Sequence, residues 1–154
     1  MIVPEVFSQR RRYLPIGHAD TEVICSNTVR FIPDISLCHL GVLILNVRMA
    51  WMRAAKKCPI PFVYNNFPWP SPTGPQRAAI KKAAQAVLGA RTLCPDASLA
   101  DLYDKPAMPP ELRKAHQQND RAVMAAYGFD VKTTTESRCV AELMKLYQAL
   151  AQEK

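Results

Sequence analysis

The sequence predicts an α+β chain that is mostly α, with short N-terminal strands, a long buried helix and then a small C-terminal helical bundle. Three observations carry this reading. Short β-like runs broken by turn residues fill the first thirty-odd positions. A nearly continuous apolar stretch with helical spacing follows Asp34. The second half is punctuated by helix start and stop signals.

The strands come first. Ile2-Val3 and Val6-Phe7 flank Pro4, and Tyr13-Leu14 precedes Pro15-Ile16-Gly17. Glu22 to Cys25 alternates before Ser26-Asn27, and Val29 to Ile32 is closed by Pro33. A strand starting at residue 2 has few neighbours to pair with, so the chain reads as if it begins inside a sheet.

Asp34 is a suitable N-cap, predicting a helix that runs to about Lys57, roughly 36 Å at 1.5 Å per residue. Leu37, Leu40, Leu43, Ile44, Val47, Trp51 and Ala54 recur at helical spacing, while Val42, Leu45, Met49 and Met52 occupy most other faces. A helix apolar nearly all round belongs in a core. Arg48, Arg53, Lys56 and Lys57 gather in its second half, where cations complement the negative end of the helix dipole. One apolar face is expected to stay uncovered, which predicts a dimer or larger assembly.

Pro59, Pro61, Pro68, Pro70, Pro72 and Pro75 then force extended or turn-like backbone. This run predicts a boundary between a first unit, residues 1–70, and a helical second unit, residues 71–154. In the second unit Thr73 and Gln76 form a capping box, and Ser98 and Asp101 open a short helical turn. Pro109-Pro110-Glu111 starts a helix that Gly128 stops, and Thr133 with Glu136 caps a last helix presenting Val140, Leu143, Tyr147 and Leu150 on one face.

Composition excludes several functions. The glycines stand at 17, 41, 74, 89 and 128, no two closer than fifteen residues. Phosphate cradles built on clustered glycines are therefore absent, including the loop that grips S-adenosylmethionine, and no cofactor is expected. The cysteines at 25, 38, 58, 94 and 139 form no CxxC pair, and the three histidines complete no zinc spacing. Reduced thiols in a cytoplasmic protein are the expectation. The longest apolar stretch, Ile35 to Val47, contains His39 and Asn46 and is too short to span a bilayer.

A net charge of +7 and a pI near 9.3 favour polyanionic partners. Arg10-Arg11-Arg12 beside Tyr13 is a basic cluster with an adjacent aromatic, suited to phosphates or simply to a solvated loop. Tyr64-Asn65-Asn66-Phe67-Pro68-Trp69-Pro70 invites comparison with the Asn-Pro-Pro-aromatic loop of adenine methyltransferases, but an aromatic separates Asn66 from Pro68. A structural role follows instead, with Phe67 and Trp69 anchored in a core. His39 reads as a satisfied core histidine, and Asp101 and Asp104 as solvated helix-end carboxylates. On these residues alone the chain is a basic helical protein without an active site.

Pro33-Asp34 through Arg53, then Val63 to Pro70, Ser98 to Asp104, and Met108 to His116 occur in an order that resembles one family. This is the C-terminal end of bacterial class I S-adenosylmethionine-dependent DNA methyltransferases of the fused type IIL restriction–modification kind. The resemblance runs from about Val3 to Leu150. It implies that residues 1–70 are the last part of a target-recognition domain, that residues 71–154 are a helical C-terminal domain, and that the catalytic domain lies elsewhere. The family's Tyr-His-Phe-Gly stands here as Cys38-His39-Leu40-Gly41, and nine residues separate Arg53 from Val63 where relatives carry a longer stretch.

The resemblance implies a DNA-binding specificity fragment, itself inactive, with Arg10, Arg11, Arg12, Arg48, Arg53, Lys56 and Lys57 as candidate phosphate contacts. Two alternatives stand beside it. One is an interaction module docking on a separate methyltransferase subunit or on a second copy of itself; the other is a truncated remnant without function.

Overall fold

The computed structural model describes residues 1–4, 8, 11–18, 22–54, 67–130 and 132–152. It is mostly helical, as expected, with a short two-stranded sheet. Strands β1 (Ile2–Pro4) and β2 (Val29–Phe31) run antiparallel, pairing Ile2 with Phe31, Val3 with Arg30 and Pro4 with Val29. Ile2 also exchanges backbone hydrogen bonds with Gly17 at 2.9 and 3.0 Å. The Val6-Phe7 run lies outside the described residues. Two other expected strands do not form. Tyr13 and Leu14 are buried in irregular backbone, held by tertiary contacts, and Glu22 to Cys25 is an open segment whose Ile24 is 98% exposed.

The long helix is also corrected, because it is two helices, α1 (Leu37–Leu43) and α2 (Asn46–Ala54). Asp34 does not cap it; it sits at φ +49°, and Ser36 takes the cap. The Ser36 hydroxyl and backbone N–H engage His39, so His39 is an exposed capping partner and not a core histidine. The break at Ile44–Leu45 has a tertiary cause. The Asn46 N–H, one of the donors left free at a helix start, donates to Asp120 Oδ1 at 3.0 Å, so a carboxylate from a distant helix caps α2.

Three long helices and one short turn follow. They are α3 (Gly74–Arg91), α4 (Leu99–Leu102), α5 (Pro110–Ala126) and α6 (Glu136–Gln152). The first three start where the sequence signals place them. Gln76 Oε1 accepts from the Thr73 N–H at 2.9 Å, and Ser98 Oγ accepts from the Asp101 N–H at 3.2 Å. Gly128 ends α5 at φ +75°, with Phe129 N–H returning to the Met124 carbonyl, a left-handed turn that glycine makes without steric cost. Thr135, not Thr133, precedes α6 and accepts from the Arg138 N–H. Its inner face is Cys139 and Leu143 with Val140 and Tyr147 packed beside them, as expected, while Leu150 is half exposed.

Helix α3 packs chiefly on α5, α1 lies across α3, and α2 lies on α6. One core therefore joins the N-terminal and C-terminal segments, with Leu40, Leu43, Met49, Ile80, Leu112 and Leu143 among its buried members. This arrangement covers α1 and α2, whose residues from Leu40 to Met52 are buried apart from Asn46. Among the described residues, α1 and α2 therefore do not present the uncovered apolar face that the sequence led us to expect. No described helix is long and apolar enough to cross a membrane.

The α1–α3 crossing depends on Gly41. A Cβ there would stand 2.5 Å from Ile80 Cγ2 and 2.9 Å from Asn119 Oδ1. The Gly41 carbonyl also accepts from Asn119 Nδ2 of α5 at 2.8 Å, so the same glycine ties α1 to α5. Gly41→Ala is expected to destabilise by about 1–3 kcal/mol through overpacking, read from urea unfolding midpoints. An unchanged midpoint would contradict this close approach.

Candidate nucleic-acid interface

The expected phosphate contacts are used very differently from one another. Arg48 is corrected most clearly. It is 1% exposed, its guanidinium lies 4.7 Å from the Phe67 ring centroid, and a side chain so enclosed has no surface to offer a phosphate. Arg11 is half-buried and donates to the Ala100 carbonyl at 3.2 Å, tying the N-terminal segment to α4. Arg53 pairs with Glu136 at the start of α6. Arg12 is exposed beside the Tyr13 ring and borders a hollow of about 320 Å³ with Asn46, Asp120, Arg121 and Glu136. Arg10, Lys56 and Lys57 lie outside the described residues, as do Tyr64, Asn65 and Asn66.

The rest of the aromatic–proline motif divides. Phe67 is buried as expected, edge-on to Trp51 at 5.9 Å, and the Pro68 carbonyl accepts from Tyr127 Oη at 2.7 Å. Trp69 is not anchored in a core, because 44% of it is exposed. Its indole stands edge-on to His39 at 5.5 Å, and beside it Pro70, Ser36, Arg77 and Lys81 wall a groove of about 380 Å³. Arg77 and Lys81 project from α3, which carries no acidic side chain anywhere along its length. That absence was readable in the sequence; the meeting of α3 with Trp69 was not.

Beneath the surface a polar network fastens residues 13–17 to the helices. Tyr13 Oη donates to Asp120 Oδ2 at 2.9 Å, and the Tyr13 ring stacks on His116 with centroids 4.1 Å apart. Tyr103 Oη meets His116 Nε2 at 2.7 Å. Arg91 donates from Nε to Tyr103 Oη at 3.0 Å and from Nη1 to the Ile16 carbonyl at 2.7 Å. Since Arg91 only donates, the Tyr103 hydroxyl is the acceptor in its bonds with Arg91, and the same hydroxyl links the guanidinium to the His116 ring.

Burial, aided by the nearby Arg91 charge, pushes His116 down to about 3, so it is neutral at physiological pH. Burial pushes Asp120 up to about 6 against the opposing hydrogen bonds from Asn46 and Tyr13. Burial also raises the Tyr13 and Tyr103 phenols above their ordinary range. Among the described residues, no three His, Cys, Asp or Glu side chains gather as metal ligands.

Two family models cover almost the whole chain. The model described as "MmeI, target recognition domain" matches residues 1–71, and "MmeI, C-terminal domain" matches residues 73–153. A curated relative, DNA methyltransferase A of Bacillus subtilis (strain 168), is 31% identical over 159 aligned positions, covering 99% of this chain and 18% of that protein. The solved structure of the type IIL restriction–modification enzyme MmeI in complex with DNA superposes with a TM-score of 0.87 at 38% identity, covering 98% of this chain and 21% of that one. The chain thus spans about a fifth of the proteins it matches. The resemblance read from its ordered motifs is borne out: this chain belongs to the MmeI family, in which it corresponds to the target recognition domain's matched portion and the C-terminal domain.

Proposed function

We propose that this chain is a DNA-binding specificity element, with its target-recognition portion in residues 1–70 and a helical support in residues 71–154. The observation that carries the reading is its likeness, at 38% identity and a TM-score of 0.87, to the corresponding part of an enzyme solved on DNA. The basic balance agrees with a polyanionic partner. Of the candidate phosphate contacts, Arg12 is exposed, Arg10, Lys56 and Lys57 complete the set, and Arg11 and Arg53 act first as ties within the fold. Methylation itself is assigned to a catalytic domain carried elsewhere in the family.

The reading of this chain as an interaction module rested on an uncovered apolar helix, and α1 and α2 are covered. Fluorescence anisotropy of a labelled duplex titrated with the 154-residue chain tests the DNA reading. Saturable binding in the ~10⁻⁴–10⁻⁶ M range supports it, and a flat titration at low salt refutes it.

A further inference from the structure

The groove beside Trp69 unites three features that no single element supplies. Its floor and one wall are apolar or aromatic, formed by Pro70, His39 and the exposed indole of Trp69. Its other wall is the Arg77–Lys81 pair on α3, both exposed and one helical turn apart. None of its described lining residues is acidic. A second hollow of about 560 Å³ shares Trp69 and His39 but is bordered by both Asp34 and Arg48, so it lacks the uniformly basic wall of the first. The start of α3 is occupied by the Thr73–Gln76 box, which leaves the side-chain cations as the source of attraction for anions.

A ligand matching this surface is anionic along one edge and offers a non-ionic ring to an aromatic face. A run of neighbouring phosphates joined by sugars has that character, and flexible Arg and Lys side chains at positions i and i+4 can reach two of them. We propose that the groove between Trp69 and α3 seats one DNA strand's sugar–phosphate backbone, with Arg77 and Lys81 on phosphates and the Trp69 indole against the sugar. This site rests on the DNA-binding reading above and adds to it a contact surface on the helical support, away from the Arg10–Arg12 cluster in sequence.

The test uses the full chain and one duplex. Arg77→Ala/Lys81→Ala is expected to reduce the steepness of log K against log salt by about 1.8, which corresponds to roughly 60-fold weaker binding at 0.1 M salt. Trp69→Leu carries no charge change, so it should weaken binding about fivefold or more while leaving the salt slope unchanged. Trp51 is buried and Trp69 is not, so acrylamide quenching of the wild type reports chiefly on Trp69 and should fall when duplex is added.

A control pair, Lys105→Ala/Lys132→Ala, removes two exposed cations that do not line the groove. Equal losses from both pairs, or unchanged quenching on saturation with duplex, would overturn the site while leaving the DNA reading standing. Absence of wild-type binding would overturn both readings together.

Discussion

Between pH 4 and pH 6 the stabilities of Asp120→Asn and His116→Gln are expected to move in opposite directions. The folded protein keeps His116 neutral down to about pH 3, whereas the unfolded chain protonates it near 6.5. Stability from this group is therefore present above 6.5 and is lost as the pH falls towards 3. Asp120 has the reverse sign. Folded, it retains its proton up to about pH 6, while the unfolded chain ionises it near 3.8, so its contribution is present below 3.8 and lost as the pH rises through 6.

In the wild type the two slopes oppose each other over the shared window, and stability there is expected to be nearly level. Asp120→Asn leaves the histidine alone and should lose stability on acidification. His116→Gln leaves the carboxyl alone and should lose stability as the pH rises. Each change amounts to about 2–3 kcal/mol across the two units, at about 1.4 kcal/mol per unit. Urea unfolding in half-unit pH steps measures both, and parallel profiles for the two variants would contradict the assigned protonation states.

The second large effect belongs to Arg91. Its guanidinium serves the buried Ile16 carbonyl and the Tyr103 hydroxyl together and lies 5.1 Å from the Tyr103 ring centroid. Arg91→Ala leaves both acceptors without their charged donor and is expected to cost about 2–4 kcal/mol. Arg91→Lys keeps a charge but not the planar fork, so it should recover part of that loss.

The effect has a location as well as a size. Residues 13–17 are irregular backbone held by this contact and by the Tyr13–Asp120 bond, so removing Arg91 should loosen them first. Faster hydrogen exchange at the Ile2 and Gly17 amides, which bond each other's carbonyls, is the expected signature. Stability within about 0.5 kcal/mol of wild type would show that the segment is held by packing alone.

These two predictions concern the part of the molecule least visible in its sequence. Helices α3, α4 and α5 begin on local signals, because capping residues and prolines act within one turn of the backbone they satisfy. The break between α1 and α2 depends on Asp120, 74 positions from Asn46, and no local pattern encodes that bond. The burial of Tyr13 on His116 and Asp120 is equally remote, so a residue that looks like the end of a basic patch is a core member.

The candidate interface was legible in the same uneven way. Charge and motif order identify the family, and the basic residues are all in view. Whether each cation faces solvent depends on partners elsewhere in the chain. Arg48 sits in a run of charges at helical spacing yet is enclosed over Phe67, while Trp69, two residues from Phe67, turns outward. The acid-free face of α3 was readable, but its pairing with an aromatic across a groove requires the fold.

The most direct test of the central claim is a salt series of duplex binding, read by fluorescence anisotropy with two unrelated sequences. If four to six cations engage phosphates, log K should fall against log salt with a slope of roughly −4 to −5, at about −0.9 per contact. Phosphate contacts carry no sequence information, so both duplexes should share that slope, whatever difference in affinity base contacts add. Measurable binding with that slope is the predicted result. No detectable binding of either duplex at low salt would contradict the assignment of this chain as a DNA-binding element.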